Sequence, residues 1–328
     1  MRTKKTAGWG RDKERKTSLP GLEVRETMRA LRRCSGKILF FAGAILLLSQ
    51  PAWARPLHVG SVGLEVEQEI QKYMPLATYL ARALQAEGVD QGKVVVAKGI
   101  AEMAQLLKHG KIDLYIDSPY PALAVSRLSG SKLFLRRWKK GISEYRSVIF
   151  AKAASGIARL EDLKGKIIAF EEEFSTSGYF VPKLVMMQQG LKLVPKKNPA
   201  DPVAPHEVGY VFSLDDENAM AWVLRGRVSA SVMDNQTYVK QAMAHLSNLK
   251  VVYQSFSFPR QVVSHRGDLP SDLAAKIKQT LIQMEQSEEG KKVLQSFERT
   301  TRFDEIPDQA MVPLLKAGKW IDAELGIR

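Results

Sequence analysis

Three hydroxyl side chains and a glycine follow one another at the end of a short apolar run. Ser175, Thr176, Ser177 and Gly178 come after residues 167–170 and three carboxylates. A helix is expected to begin here, and helix N-termini present unpaired N–H groups and a partial positive charge that favour anions. We therefore expect an oxyanion site, with Gly178 allowing close approach of the ligand. N-capping by Ser175 is the alternative, because serine is a preferred N-cap residue.

Patterns typical of enzymes and metal sites are absent from the rest of the sequence. The five histidines show no metal-ligand spacing, so neither a metal nor a cofactor is expected. The chain contains no G-x-S-x-G, P-loop or G-x-G-x-x-G pattern, so an enzyme is not predicted. Residues 215–217, Asp-Asp-Glu, have two interpretations: a general acid/base cluster, or the cap of a helix running to about Arg225.

The elements that must position these residues alternate along the chain. From Arg55 onward, apolar strand-like runs alternate with amphipathic segments, such as the helix expected over 65–87 and the strand expected over 112–116. Repeated strand–helix units predict an α/β fold with sheets covered by helices, and ligands at the carboxyl ends of the strands.

The first 54 residues have the features of an export leader. Basic residues precede the apolar run 38–48, and Ala52-Trp53-Ala54 follows it. This order predicts a signal peptide over 28–54, cleaved after Ala54, and a periplasmic protein. A membrane anchor is disfavoured because a spanning helix needs about 20 apolar residues. The only cysteine, Cys34, lies in the leader, so the mature chain is expected to have no disulfide.

The positive charge is concentrated in the leader. The whole chain carries a net charge of +14, but residues 1–54 hold 12 Lys/Arg and 4 Asp/Glu, which leaves only +6 for the remainder. No basic tract with interleaved aromatic residues is present, so nucleic acid is not an expected partner.

A set of ordered motifs resembles a known family. Glu144–Phe150 precedes Ser155-Gly156-Ile157, then Leu-Glu-Asp-Leu-Lys-Gly-Lys at 160–166, and then Ser-Thr-Ser-Gly-Tyr at 175–179. This order resembles the substrate-binding proteins of phosphate/phosphite/phosphonate ABC transporters over essentially all of 55–328.

The resemblance implies the two-lobed type 2 periplasmic binding protein fold, with a ligand cleft between the lobes. One lobe is expected to comprise 55–151 plus 256–328, and the other 152–255. The hinge is expected near 150–152 and 255–258.

The resemblance also implies a set of ligand-binding residues. It places the phosphonate on Ser175, Thr176 and Ser177, next to Gly178 and Tyr179. The remaining implied positions, on the opposite lobe and toward the ligand's other end, are Ser118, Tyr120, Glu217 and Asp234.

The implied function is the capture of a phosphonate, phosphite or phosphate by a monomeric binding protein that serves an ABC transporter permease. A sensor that reports its ligand to a membrane receptor or kinase is the alternative.

Acidic residues near the expected site depart from the family pattern. Glu172, Glu173 and Asp117 are carboxylates beside an expected anion. Either they face solvent or the ligand also carries a cation. The second case, with Glu217, leads to the hypothesis that an amino-substituted phosphonate is preferred over inorganic phosphate.

Overall fold

The structure, a computed structural model, describes residues 54–245 and 247–327. The predicted signal peptide therefore lies outside the described residues, apart from Ala54. None of the helices within the described ranges has the length and apolar character needed to cross a membrane.

The strands and helices alternate as the sequence pattern predicts. In chain order the strands are β1 (Arg55–Val62), β2 (Val89–Ala97), β3 (Leu114–Asp117), β4 (Lys132–Lys139), β5 (Glu144–Tyr145), β6 (Ser147–Lys152), β7 (Ile167–Phe170), β8 (Lys192–Pro195), β9 (Glu207–Phe212), β10 (Ala230–Asp234), β11 (Leu249–Gln254), β12 (Phe258–Pro259), β13 (Gln261–His265) and β14 (Thr300–Asp304). The α-helices are α1 (Val66–Ala83), α2 (Ile100–Lys108), α3 (Pro119–Ser129), α4 (Val181–Gln188), α5 (Asp216–Leu224), α6 (Asn235–Ala242), α7 (Ser271–Gln283), α8 (Glu288–Ser296), α9 (Val312–Lys316) and α10 (Gly318–Glu324).

The first sheet has the strand order β14-β4-β13-β3-β1-β2. Strands β1, β2 and β3 run parallel, whereas β13 is antiparallel to β3 and β4. On one face, Leu76 and Leu80 of α1 pack with Leu57 of β1 and Ile277 of α7, all fully buried. The spacing of the apolar residues on α1 follows the helical period, which is why this helix lies flat on the sheet.

The second sheet has the strand order β11-β6-β10-β7-β9-β8. Strands β7, β8, β9 and β10 run parallel, and β6 is antiparallel to β10 and β11. We call each sheet with its covering helices a lobe. The first lobe holds α1–α3 and α7–α10, and the second holds α4–α6.

The chain crosses between the lobes next to a two-stranded ladder formed by β5 and β12. On the lobe-2 side, the Ser147 N–H donates to Ser255 Oγ at 2.9 Å, and the Ser255 N–H donates to the Ser147 carbonyl oxygen at 3.0 Å. The first crossing differs from the expected hinge at 150–152, because all of β6 pairs within the second sheet. Residues 147–151 are an unbroken buried run, so the sequence there contains no signal for a boundary.

Candidate ligand-binding site

A cleft of about 350 Å³ lies where strand ends of the two lobes meet. Asp117 ends β3, Glu171 follows β7 and Asp234 ends β10, so the cleft is at the carboxyl ends of these strands, as the α/β pattern predicts. The lining residues are Asp117, Ser118, Lys139, Lys140, Tyr145, Glu171, Glu172, Phe174, Ser175, Ser177, Asp216, Asp234, Thr237, Arg260 and Gln261.

Ser175 is the N-cap of the helical segment, which is the alternative interpretation of this serine, and its hydroxyl is engaged twice. Its Oγ accepts the Gly178 N–H at 2.9 Å and donates to Glu171 Oε2 at 2.7 Å. The segment opens with a π-helical turn, Thr176–Phe180, before α4 begins at Val181. Because its one donor is directed at Glu171, the Ser175 hydroxyl has little capacity left for an anion.

Gly178 lies against the Glu171 side chain. A Cβ at this position would lie 2.4 Å from Glu171 Oε2 and 2.5 Å from Glu171 Cβ. The glycine therefore makes room for the Glu171 side chain, and close approach of the ligand at this position stays a prediction.

Thr176 joins the two lobes. Its Oγ1 accepts the Tyr120 N–H at 2.9 Å and donates to Ser118 Oγ at 2.8 Å, and only 1% of the residue is exposed. The Tyr120 ring stacks on Phe180 with ring centroids 4.2 Å apart. Both hydrogen-bonding functions of the Thr176 hydroxyl are used in this contact, which leaves Ser118 as the member of the pair that lines the cleft.

Tyr179 and Tyr120 line a neighbouring cavity of about 550 Å³ instead of the cleft itself. The Tyr179 hydroxyl donates to Glu324 Oε2 at 2.7 Å, and Lys183 Nζ lies 2.7 Å from Glu324 Oε1. Glu324 belongs to α10 of the first lobe, so this cluster is a second contact between the lobes.

Ser177 and Tyr145 form the hydroxyl-bearing wall of the cleft. Ser177 is buried and follows the N-cap by two residues. Burial raises the pKa of the Tyr145 phenol, although Arg260 and the Ser177 hydroxyl partly offset this effect. Tyr145 therefore stays a neutral hydrogen-bond donor at every physiological pH.

Three cations at the cleft, Lys139, Lys140 and Arg260, were missed by the sequence analysis. The Arg260 guanidinium lies over the Tyr145 ring at 4.8 Å, and its Nη1 lies 3.6 Å from Asp234 Oδ1. Within the described ranges, the buried Arg260 Nε has no hydrogen-bond partner. Lys139 ends β4, Lys140 directly follows it, and Arg260 lies between β12 and β13; no local motif marks these residues.

Carboxyl groups outnumber the cations at this site. Burial raises the pKa of Asp117 to about 6, although hydrogen bonds from Tyr115 and Ser118 act against the shift. Burial, followed by repulsion from Glu171, raises the pKa of Glu172 to about 7 and that of Asp216 to about 8. These shifts arise because several carboxyl groups share a partly dehydrated space.

The acidic residues of α5 and α6 differ from the prediction in one position. Asp216 lines the cleft, whereas Glu217 is exposed and is not among the lining residues. Asp215 caps α5 by accepting the Asn218 N–H at 2.6 Å, which supports the capping interpretation of this acidic run. Asp234 lines the cleft and also caps α6, since its Oδ1 accepts the N–H groups of Gln236 and Thr237. Contact between Asp234 and the ligand stays a prediction.

The remaining acidic loop residue, Glu173, is exposed and lines the neighbouring cavity. No group of three or more potential metal ligands is found in the portion of the chain that the structure describes.

A family model matches this chain over residues 64–311, and its description is ABC transporter, phosphonate, periplasmic substrate-binding protein. The chain belongs to this family. The family consists of transport proteins that bind a substrate, and the resemblance drawn from the sequence motifs is confirmed.

Solved structures show the same fold at low sequence identity. The protein XAC2383 from Xanthomonas citri, bound to ATP, is 19% identical with a TM-score of 0.76, over 82% of this chain and 98% of that one. PhnD1 from Prochlorococcus marinus, in complex with methylphosphonate, is 16% identical with a TM-score of 0.60, over 82% and 99%. A binding protein component of an ABC phosphonate transporter from Pseudomonas aeruginosa is 18% identical with a TM-score of 0.57, over 82% and 88%. The chain has the two-lobed type 2 periplasmic binding protein fold, as predicted.

Proposed function

We propose that this chain binds a small phosphonate that also carries an ammonium group, and that it delivers this ligand to an ABC transporter permease. The observation that carries the proposal is the mixed lining of the cleft, where cations and hydroxyls lie beside carboxyl groups with raised pKa values. Inorganic phosphate offers such a lining only negative charge, whereas a zwitterion complements both signs.

The anionic end of the ligand is assigned to the side of the cleft near Arg260. Arg260 offers a buried Nε without a partner in the described chain, and Lys139 and Ser177 line the same cleft. Charge-assisted hydrogen bonds from a guanidinium suit the oxygens of a phosphonate group. Ser175 and Thr176, whose hydroxyls are engaged elsewhere, are given only supporting roles.

The ammonium end is assigned to the side near Glu172 and Asp216. In the described ranges neither carboxyl group forms an ion pair with a lysine, arginine or histidine, although both lie close enough to Glu171 for repulsion to raise their pKa values. A ligand ammonium placed between them would relieve this repulsion, and binding would release protons from the cleft. The cleft volume suits a ligand of this size, since small-molecule sites typically begin near 300 Å³.

The biological setting follows from the family and from the leader sequence. We propose export through the signal peptide over 28–54, cleavage after Ala54, and action as a monomer in the periplasm. The protein performs no chemistry on its ligand in this proposal, and the permease is its partner.

Isothermal titration calorimetry with 2-aminoethylphosphonate, methylphosphonate and phosphate tests the ligand class. Asp216→Asn removes one ionisable carboxyl group that faces the cleft, and Glu217→Gln is the matched control because it removes the adjacent, exposed carboxyl group. A hydrogen bond to a charged group is worth about 1.5–3 kcal/mol, so Asp216→Asn should weaken 2-aminoethylphosphonate binding about tenfold or more.

Methylphosphonate binding should be unchanged or strengthened in Asp216→Asn, and Glu217→Gln should bind both ligands like the wild type. The proposal is wrong if the wild type binds methylphosphonate as tightly as 2-aminoethylphosphonate. Equal losses for both ligands in Asp216→Asn would also contradict it.

A further inference from the structure

Behind Lys139 lies a charge cluster whose other members, Arg137 and Glu298, are not among the residues that line the cleft. The Arg137 guanidinium is fully buried, and both of its Nη atoms donate to Glu298 Oε2, at 3.0 and 3.1 Å. The other carboxylate oxygen, Glu298 Oε1, accepts from Lys139 Nζ at 2.7 Å. Arg137 also donates to Thr300 Oγ1 at 2.7 Å and to the Phe297 carbonyl oxygen at 3.0 Å. One carboxylate thus joins a buried arginine to a lysine that lines the cleft.

The backbone that presents this carboxylate adopts an uncommon conformation. Glu298 and Arg299 have φ values of 50° and 54°, and Lys140, opposite them, has a φ of 56°. The Lys140 N–H donates to the Arg299 carbonyl oxygen at 2.9 Å, so the three residues form one structure. Each non-glycine residue whose backbone lies in the left-handed region costs about 1 kcal/mol or more, and such conformations cluster at ligand-binding sites. Here the uncommon conformation places the Glu298 carboxylate between Arg137 and Lys139.

The charges around Lys139 act in opposite directions. Burial lowers its pKa, Glu298 raises it, and Arg137 and Arg260 lower it, with a net shift downward. Across the cleft Glu171 is also close enough to interact with Lys139. Burial alone would raise the pKa of Glu298, but Lys139 and Arg137 lower it to about 2, so this carboxylate remains ionised at all physiological pH values.

We infer that Glu298 is a positioning residue for ligand binding, which holds the Lys139 ammonium in the cleft and keeps it protonated so that it can bind the ligand's anionic group. Two cations share one carboxylate, so the cluster retains one net positive charge toward the cleft. The inference rests on the proposed function, since it assigns Lys139 to the phosphonate end of the ligand.

The variant Glu298→Gln removes the charge and keeps the shape, and its effect should depend on pH. Without Glu298, the pKa of Lys139 falls further, so the ammonium loses its proton as pH rises. Calorimetry from pH 6 to pH 9 measures the affinity of both proteins for 2-aminoethylphosphonate. At pH 6 the affinity of Glu298→Gln should be less than about threefold below that of the wild type. At pH 9 the loss should exceed about tenfold, as expected when a charged hydrogen bond is removed. Taking the ratio of the two proteins at each pH cancels the titration of the ligand itself.

The double variant Glu298→Gln with Lys139→Arg separates charge from structure. Arginine stays protonated at every pH used, so the pH-dependent part of the loss should disappear. A purely structural role for Glu298 predicts a loss that is constant with pH and is not corrected by arginine. That result would overturn the inference.

A readout that needs no ligand separates this inference from the ligand proposal. In ¹³C-dimethylated protein, the NMR signal of Lys139, identified by its absence in Lys139→Arg, should titrate at a lower pH in Glu298→Gln than in the wild type. An unchanged titration would refute the inference even if 2-aminoethylphosphonate binds. A shifted titration in a protein that binds no phosphonate would refute the ligand proposal instead. If Glu298→Gln does not fold, Glu298→Asp can replace it, because the shorter side chain moves the carboxylate away from Lys139. This variant should lower the titration of Lys139 in the same direction but by less.

Discussion

The Ser175 hydroxyl makes two hydrogen bonds that a methyl group cannot replace. It accepts the Gly178 N–H at the start of the π-helical turn and donates to the Glu171 carboxylate. Ser175→Ala therefore leaves one N–H at a helix N-terminus and one carboxylate oxygen in the cleft without these partners. We expect this variant to lose stability, not principally affinity.

The expected magnitude follows from the two contacts. Loss of an N-cap costs about 0.5–2 kcal/mol, and loss of a hydrogen bond to a charged group costs about 1.5–3 kcal/mol. Because burial raises the pKa of Glu171, its carboxyl group is less completely charged, and the second contribution should lie at the low end of its range. The free energy of unfolding should fall by about 2–4 kcal/mol.

Urea unfolding of the purified protein, followed by circular dichroism, measures this change. Ser177→Ala is the matched control, because Ser177 lines the same cleft but is not the cap. Its free energy of unfolding should change by less than about 1 kcal/mol, while its affinity for 2-aminoethylphosphonate should fall. Equal stability of Ser175→Ala and wild type, together with a large loss of affinity, would refute the stabilising role of Ser175.

Three further predictions concern closure, titration and export. Thr176→Val removes the hydrogen bonds that Thr176 makes with Tyr120 and Ser118, so small-angle X-ray scattering should report a larger radius of gyration without ligand than for the wild type. Because the pKa of Asp216 is raised to about 8, its contribution to stability should decline as pH rises from about 4 to 8. The thermal midpoint of the wild type should therefore fall over pH 5–8 more than that of Asp216→Asn. Parallel curves for the two proteins would contradict the raised pKa of Asp216. Protein recovered from the periplasm should begin at Arg55 by N-terminal sequencing, and intact protein confined to the cytoplasm would contradict the leader prediction.

The sequence predicted those parts of the protein that depend on local patterns. Strand and helix alternation, the Ser175 N-cap and the family motifs at 160–166 and 175–179 are all short-range signals, and each led to the correct element or family. The spacing of polar residues after the strands also indicated the edge of the sheets at which the cleft lies.

The details of the site depend on packing that the sequence does not display. Asp216 and Glu217 are adjacent, but successive helical residues point about 100° apart, so only one of them faces the cleft. The partner of the Ser175 hydroxyl is Glu171, a contact that depends on the space left by Gly178. Arg260 and Lys139 lie far apart along the chain, so no pattern within either segment marks them as neighbours.

The cluster of Tyr179, Lys183 and Glu324 has a kinetic consequence. Together with the Tyr120–Phe180 stack, it joins the two lobes through contacts that contain no part of the proposed ligand. We expect these contacts to separate before a ligand enters the cleft, so that opening of the lobes precedes capture. The observed association rate should then stop rising at high ligand concentration and level off at the opening rate. Glu324→Gln, which weakens these contacts, should raise that plateau.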